Sequence, residues 1–212
     1  RSEERLDQLA ASAGQASVRS YPLDVTDSAA VAATVARIEQ EWGPIEVAIL
    51  NAGDYEPMPL EQFDAALFRR LMEVNYMGAV HCLDALLPRL RQRRGGQLLL
   101  TASVSGYRGL PNGAPYSATK AALIMLTKNQ AKEWGRHGVR ANVVCPGLVK
   151  TKFSQGLWSD ETLVKHFTKA LPLGRIADAD EMTGVVMLLA SDAGSYMTGG
   201  VYTADGGYLV SG

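Results

Sequence analysis

The sequence lacks most of the marks of a secreted, membrane-embedded or nucleic-acid-binding protein. Only 2 cysteines occur in 212 residues, too few for a disulfide framework, and Cys82 and Cys145 lie in apolar runs where a buried, reduced thiol is expected. No apolar run approaches the roughly 18 residues of a membrane span. The 21 Lys and Arg against 22 Asp and Glu give a net charge of −1, whereas nucleic acids and anionic membranes recruit a basic excess. We therefore predict a cytoplasmic protein without a nucleic-acid or membrane partner.

Histidine is also scarce. His81, His137 and His166 are the 3 histidines of the chain, and none has a carboxylate or a cysteine at ligand spacing. The sequence therefore predicts no catalytic metal.

The composition, 47% hydrophobic and 20% charged, is that of a globular protein able to form a core. Short apolar runs alternate with longer amphipathic segments, which predicts a doubly wound, mostly parallel α/β sheet in a single domain over residues 1–212. Strands are predicted at 17–23, Val47–Leu50, 97–102, 140–145 and Val201–Ala204. Helices are predicted at 3–12, Ser28–Trp42, 60–91 (long enough for two helices), 114–137, 159–170 and 180–190.

Polar or glycine-containing segments follow four of the predicted strands, at the sheet edge where ligands bind in open parallel sheets. They are Asp24-Val25-Thr26-Asp27, Asn51-Ala52-Gly53, Ser103 and Pro146-Gly147. Taken singly, each has a structural explanation: Asp27 as a helix N-cap, Gly53 as a turn residue and Pro146-Gly147 as a strand terminator.

Tyr116 and Lys120 stand four residues apart in a predicted helix, so the phenol and the ammonium share one helical face. A nearby cation favours the phenolate, so this spacing predicts that Lys120 lowers the pKa of Tyr116 towards working pH. The pair alone is a weak signal. Ser103, at a strand end 13 residues upstream, makes a chance arrangement much less frequent.

These residues resemble the short-chain dehydrogenase/reductase family along the whole length of the chain. The family motifs are, in order, Asp24-Val25, Asn51-Ala52-Gly53, Asn75, Ser103, Tyr116-x-x-x-Lys120, Pro146-Gly147-x-Val149-x-Thr151, Thr198-Gly199-Gly200 and Asp205-Gly206-Gly207. The resemblance implies an oxidoreductase that transfers hydride between NAD(P)(H) and an alcohol or ketone.

The resemblance also implies roles for the reaction centre. Tyr116 would exchange a proton with the substrate oxygen, Ser103 would hydrogen-bond the same oxygen, and Lys120 would hold the nicotinamide ribose. Asn75 would fix a water that joins Lys120 to solvent, although a helix-interior amide bonded to backbone is the structural alternative.

Cofactor contacts carry over in the same way. Asp24 and Val25 resemble the adenine site, and Asn51, Ala52 and Gly53 the adenosine ribose site. Pro146 and Gly147 would let backbone approach the nicotinamide ring, and Val149 and Thr151 would hold its carboxamide.

The chain departs from the family at its front. The first strand, the glycine-rich turn that cradles the pyrophosphate and the second strand have no counterpart in the sequence. A preceding segment of the real polypeptide, a second chain or a truncated form without cofactor binding would each account for this, and the first is the expectation. Arg1 falls just after the position where a basic residue selects NADP and an acidic one NAD, so NADP is favoured over NAD.

The segment 152–173 is predicted to cover the substrate. Its Phe153, Leu157, Trp158, Phe167 and Leu171, with Tyr107 and Leu110 across the cleft, suggest an apolar carbonyl substrate, since a sugar site needs many fixed polar partners. The resemblance also implies a homotetramer that packs through the helices predicted at 60–91 and 114–137.

Two rival functions stay open. One is a 3-oxoacyl carrier-protein reductase, in which the arginine run Arg89, Arg91, Arg93 and Arg94 would meet an acidic carrier; the plainer interpretation is positive charge at a helix C-terminus. The other is an inactive scaffold that keeps the fold without binding a cofactor.

Overall fold

The computed structural model describes Glu4, Leu6, Gln8, Ala11 and residues 18–211. Within this part of the chain the strands are β1 Val47–Leu50, β2 Gly96–Thr101, β3 Val139–Pro146, β4 Val149–Lys150, β5 Ala177–Asp178 and β6 Val201–Ala204. The α-helices are α1 Ser28–Trp42, α2 Ala65–Met72, α3 Gly78–Arg93, α4 Ala114–Trp134, α5 Gln155–Trp158, α6 Glu161–Lys169 and α7 Thr183–Ala190.

Four strands form one parallel sheet in the order β1-β2-β3-β6. The register aligns Leu50, Leu100, Val143 and Val201 across it. Leu98 and Leu100 of β2 pack into the core that contains residues of α1, α3 and α4, whereas Leu99 faces Leu189 of α7 on the opposite side. Helices therefore cover both faces of the sheet, which confirms the predicted doubly wound α/β class. Burial on both faces also explains the unbroken apolar runs 98–100 in β2 and 143–145 in β3.

Helix boundaries follow local signals that the sequence carries. The predicted N-cap Asp27 accepts a hydrogen bond from the N–H of Ala30 at 2.9 Å, and α1 has the predicted bounds. The segment 60–91 divides into a 3₁₀ turn Leu60–Gln62, then α2, a π-helical turn Glu73–Met77 and α3. No helix in the described residues is both long and apolar enough to cross a membrane.

The strand predicted at 17–23 is wrong over the described residues 18–23, which form no strand. A strand requires a neighbouring ladder, and side-chain contacts with α1 hold this segment instead. Arg19 and Tyr21 both hydrogen-bond the carboxylate of Glu41, at 3.1 and 2.7 Å. The short pair β4-β5 was not predicted, because two-residue strands carry no detectable periodicity.

The helix predicted at 3–12 lies mostly outside the described residues. Glu4, Leu6, Gln8 and Ala11 are described, and each of them is helical. Arg1 and Ser17 are outside the described residues.

Candidate functional site

The carboxyl ends of β1, β2 and β3 lie side by side and bring Gly53, Ser103 and Cys145 to one edge of the sheet. The N-terminal half of α4 adds Tyr116 and Lys120 to this edge. Ser103 is the N-cap of the 3₁₀ helix Val104–Gly106, and its Oγ accepts the N–H of Ser105 at 3.1 Å. The Ser103 side chain is also hydrogen-bonded to the phenol of Tyr116. The structure thus joins residues from two separate motifs.

The Tyr116 phenol is buried, with 8% of the residue exposed. Burial raises the pKa of Tyr116 to about 12, and the hydrogen bond from Ser103 opposes this rise only in part. The predicted fall in the pKa of Tyr116 is therefore wrong for the arrangement in the structure, because burial removes the hydration that stabilises the phenolate. Tyr116 is a neutral phenol, and hence a proton donor, at neutral pH.

Lys120 is a buried amine, with 4% of the residue exposed. Its Nζ donates to the carbonyl of Thr101 at 2.9 Å and lies 5.4 Å from the centre of the Tyr116 ring. Burial lowers the pKa of Lys120 to about 8. The lysine can therefore gain and lose a proton close to physiological pH.

Asn75 lies in the π-helical turn and is almost fully buried. Its Oδ1 accepts the N–H of Asp54 at 2.6 Å, while its Nδ2 donates to the carbonyl of Asp54 at 2.9 Å and to Thr119 Oγ1 at 3.1 Å. These contacts match the structural role considered for Asn75, that of a helix-interior amide bonded to backbone. Asn75 holds the loop after β1 against α4.

Replacing Asn75 tests this clamp. We expect Asn75→Ala to lower the free energy of unfolding by roughly 1–3 kcal/mol, because the N–H and the carbonyl of Asp54 lose their partner in a partly buried place. Urea denaturation measures the change. Asn129→Ala, on an exposed face of α4, is the matched control, and an equal loss in both variants would contradict the clamp.

Gly53 borders the space between Asn75 and Lys120. A Cβ added to Gly53 would stand 3.5 Å from Asn75 Oδ1 and 3.6 Å from Lys120 Nζ. The preceding residues Asn51 and Ala52 are exposed at the end of β1. A side chain on Gly53 would therefore be in van der Waals contact with Asn75 and Lys120. We call the place that these three residues border the cradle.

Asp24 and Val25 form a turn before α1. Asp24 Oδ1 accepts from the backbone N–H and the hydroxyl of Thr26, at 2.9 and 2.8 Å. The carbonyl of Val25 lies 2.9 Å from His81 Nδ1, and a Cβ on Gly78 would meet Val25 Cγ2 at 2.6 Å. The N-terminal end of α3 therefore positions this turn, a contact that sequence reasoning missed because it weighed His81 only as a metal ligand.

The segment after β3 makes a close backbone approach. A Cβ on Gly147 would lie 2.8 Å from the Cα of Asp205, so glycine is required there. Side-chain hydrogen bonds stabilise the turn that follows. The hydroxyl of Ser154 bonds the carbonyl of Val149 and the hydroxyl of Thr151. Trp158 Nε1 donates to the carbonyl of Thr151 at 2.8 Å. Ser154 carries no motif and was not predicted.

The predicted cover residues divide between the cleft and the scaffold. The ring of Phe153 lies 6.1 Å from that of Tyr116, whereas Phe167 stacks on Tyr208 at 5.0 Å and Leu171 is buried. Tyr107 is exposed. Tyr55, which sequence reasoning did not select, contacts the Tyr116 ring edge-on at 5.4 Å.

Cys145 lies at the end of β3, beside the site. It is a free, fully buried thiol, and burial raises its pKa to about 11, so the thiol is unreactive.

The arginine run of α3 is partly engaged in ion pairs. Arg89 and Arg93 both pair with Glu39, at 3.0 and 2.7 Å. Over the described residues, no three His, Cys, Asp or Glu side chains come together to hold a metal ion.

Comparison with known proteins adds independent evidence. A family profile described as "Enoyl-(Acyl carrier protein) reductase" matches residues 1–209. The gluconate 5-dehydrogenase of Gluconobacter oxydans (strain 621H) is 37% identical over 188 residues, which cover 89% of this chain and 73% of that protein. The 3-oxoacyl-[acyl-carrier-protein] reductase MabA of Mycobacterium avium is 34% identical over 184 residues, 87% of this chain and 71% of that protein.

Solved structures resemble the fold closely. A gluconate 5-dehydrogenase from Burkholderia cenocepacia J2315, in complex with NADP and tartrate, is 32% identical with a TM-score of 0.86 over 89% of this chain and 74% of that one. Levodione reductase is 32% identical with a TM-score of 0.93 over 100% of this chain and 86% of that one. An NAD+-bound xylitol dehydrogenase is 30% identical with a TM-score of 0.91 over 97% of this chain and 86% of that one.

Proposed function

This chain belongs to the short-chain dehydrogenase/reductase family of NAD(P)-dependent oxidoreductases, and on that premise we propose that Tyr116, Ser103, Lys120 and Asn75 form its reaction centre. The reaction is the interconversion of an alcohol and a ketone. The observation that carries the proposal is the buried phenol of Tyr116, hydrogen-bonded to Ser103 and 5.4 Å from the ammonium of Lys120, measured to the ring centre.

The described residues fit a nicotinamide dinucleotide. A Cβ on Gly53 would occupy part of the cradle, in contact with Asn75 and Lys120. The buried amine of Lys120 suits ribose hydroxyls, which can accept from an ammonium. We assign Lys120 to the nicotinamide ribose, and the remaining contacts to Asp24 and Val25 (adenine), Asn51, Ala52 and Gly53 (adenosine ribose), and Pro146, Gly147, Val149 and Thr151 (nicotinamide). The bound cofactor supplies or accepts the hydride.

In the reducing direction the chain's own residues handle the proton. Ser103 orients the substrate carbonyl by donating a hydrogen bond to its oxygen, and the neutral phenol of Tyr116 delivers a proton to the same oxygen as negative charge develops there. The ammonium of Lys120 then stabilises the phenolate and returns a proton to it, and the neutral amine that remains takes up a proton from solvent. Burial favours these proton transfers, because the attraction between the ammonium and the phenolate is stronger where water is excluded.

The choice between the two dinucleotides rests on Arg1, a basic residue that favours NADP and lies outside the described residues. The related structures include a complex with NADP and one with NAD+. We propose NADP as the preferred form.

We further propose that 152–173 is the substrate cover, that the protein is cytoplasmic and that it forms a homotetramer. Phe153 supports the cover, since it lies beside Tyr116. The exposed Met125 of α4 supports packing through the helices α3 and α4. The apolar rings around Tyr116 favour an apolar carbonyl substrate.

The carrier-protein alternative has weaker support. Arg89 and Arg93, half of the run that would meet an acidic carrier, are paired with Glu39. Their positive charge therefore serves mainly to join α3 to α1.

Cofactor binding separates an enzyme from an inactive scaffold. At 100 times its dissociation constant, NADPH should raise the free energy of unfolding by about 2.7 kcal/mol, because only the folded protein holds the Lys120 and Gly53 cradle. Thermal denaturation with and without NADPH measures this, with free adenine as the control ligand. A protein that melts at the same temperature in both would support the scaffold.

A further inference from the structure

The turn that follows β6, residues 205–211, begins at the same sheet edge as the proposed reaction centre. We call it the β6 turn. A Cβ on Gly147, just after β3, would lie 2.8 Å from the Cα of Asp205, so the two backbones are in direct contact. The Asp205 carboxylate accepts the N–H of Gly207 and that of Leu209, each at 2.9 Å. The β6 turn is therefore stabilised by its own side chain and attached to the end of β3.

The β6 turn also contacts the predicted substrate cover. The ring of Phe167 in α6 stacks on that of Tyr208, with 5.0 Å between the ring centres and 14° between the planes. Just after α6, the N–H of Leu173 donates to the carbonyl of Gly206 at 3.1 Å. A side-chain contact and a backbone hydrogen bond thus join the cover to this turn.

These contacts matter because α6 is packed loosely. The helix lies wholly within the described residues, and none of its nine side chains is buried. Val164, Phe167 and Thr168 are half-buried, and the others are exposed. A helix of this length is marginal by itself and depends on packing against other elements. The stack of Phe167 on Tyr208 is therefore a main determinant of where α6 lies.

Arg108 holds the same tyrosine from the loop that follows Ser103. Its guanidinium lies 5.0 Å from the centre of the Tyr208 ring, and it donates to the carbonyls of Ser211 and Tyr208 at 2.9 and 3.4 Å. The backbone N–H of Arg108 donates to the carbonyl of Val104 at 3.0 Å, in the 3₁₀ turn that Ser103 caps. Tyr208 is thus in contact with both the loop of Ser103 and the cover.

We propose that Arg108 and Tyr208 form a latch that positions α6, and with it the substrate cover, relative to the loop of Ser103. Both are positioning residues, which act on the substrate through the cover and take no part in proton transfer. A cover whose position is set in advance loses less conformational freedom when substrate binds, so the latch increases the affinity for the carbonyl substrate. The proposal rests on the proposed function, including the assignment of 152–173 as the cover.

Hydrogen exchange tests the latch without any turnover. With NADPH added, Tyr208→Ala and Arg108→Met should each speed exchange of the α6 amides by roughly 3- to 10-fold, the factor that one aromatic or cation–π contact is worth. The amides of β2 should remain protected. Tyr208→Phe keeps the ring and should exchange as the wild-type protein does. Arg108 is exposed, so its variant retains the fold even if Tyr208→Ala does not.

Steady-state kinetics test what the latch does for the substrate. With cyclohexanone as the probe ketone, Tyr208→Ala and Arg108→Met should each raise KM for the ketone by roughly 3- to 10-fold, since the cover must then be ordered on binding. Tyr208→Phe should have the KM of the wild-type protein. The values of kcat and of KM for NADPH should stay unchanged, because Tyr116 and Lys120 are untouched. A general loss of structure would alter all three constants.

The matched controls are two exposed residues outside the latch. Tyr196→Ala removes a fully exposed tyrosine, and Arg69→Met alters an exposed arginine of α2; both should leave α6 exchange and KM unchanged. Unchanged α6 exchange in Arg108→Met would overturn the latch, and so would a wild-type KM for the ketone in variants whose α6 exchanges faster.

The two measurements separate failure of the latch from failure of the proposed reaction. A protein that does not reduce cyclohexanone, but whose α6 exchanges faster in both latch variants, supports the latch, whereas its inactivity counts against the proposed function. A protein that reduces cyclohexanone with the same α6 exchange and the same KM in every variant supports the proposed function and overturns the latch.

Discussion

Tyr116→Phe should abolish most ketone reduction while leaving the protein folded. The variant removes one hydroxyl from a buried ring that packs against Tyr55 and Met58, so the apolar contacts remain. It removes the proposed proton donor, however, and a positioned acid or base contributes about 10²- to 10⁴-fold to a rate. We expect kcat to fall by that factor, measured as NADPH oxidation with a ketone in excess.

Two controls give this result its meaning. Tyr196→Phe removes a hydroxyl from a fully exposed tyrosine and should leave kcat unchanged. The thermal shift produced by NADPH should be the same in Tyr116→Phe as in the wild-type protein, because the ring and the Lys120 cradle remain. A kcat within 3-fold of wild type would end the assignment of Tyr116 as the acid.

Lys120→Met should lose activity and gain stability. The cradle loses the amine that we assign to the ribose and to reprotonation of Tyr116, so kcat/KM for NADPH should fall by roughly 10²-fold or more. The free energy of unfolding should rise, in contrast, because the folded protein no longer buries a desolvated cation. Methionine occupies a similar volume without charge.

The pKa of Lys120 sets the size and the pH range of that gain. Burial lowers this pKa from its ordinary 10.5 to about 8, a difference worth about 3 kcal/mol. Below pH 8 the lysine of the folded protein is protonated, so the full cost of burying its charge is subtracted from the free energy of unfolding. Between pH 8 and 10.5 the folded protein binds fewer protons than the unfolded chain, so the stability of the wild-type protein rises with pH and the penalty disappears.

Urea denaturation of both proteins from pH 6.5 to 10.5 measures this difference. Lys120→Met should be more stable than wild type by up to about 3 kcal/mol below pH 8, less the hydrogen bond to Thr101, and the advantage should vanish near pH 10.5. Lys128→Met, on an exposed face of α4, is the matched control and should show no such trend. A Lys120→Met protein that is less stable at every pH would show that the hydrogen bond to Thr101 outweighs the burial of charge.

Much of the fold follows from local patterns. The alternation of apolar runs and amphipathic segments predicted β1, β6 and α1 with the bounds that the structure has, because each element buries one face and its period is therefore written in the sequence. The predicted strand at 17–23 failed because pairing with a neighbouring strand, which no local pattern records, makes a strand. The order β1-β2-β3-β6 similarly depends on contacts between distant segments.

The residues of the site also divide into those that a local pattern marks and those that only contacts between distant segments bring to the site. The motifs alone selected Ser103, Tyr116 and Lys120, since strand ends and helical spacing can be recognised in one dimension. They could not select Tyr55, Arg108 or Ser154, which carry no spacing signal and act through contacts that only the folded chain makes.

Periodicity and motif spacing are local properties, so the amino-acid order alone was enough to place most of the helices and sheet strands and the chemical groups at the strand ends. The electrostatics and the shape of the site depend on contacts between distant segments and became visible in the folded chain. Spacing suggested that Lys120 would acidify Tyr116, but burial, which depends on everything packed around the two groups, raises the pKa of Tyr116 and lowers that of Lys120. Desolvation is a property of the whole fold, and it is the largest cause of both shifts.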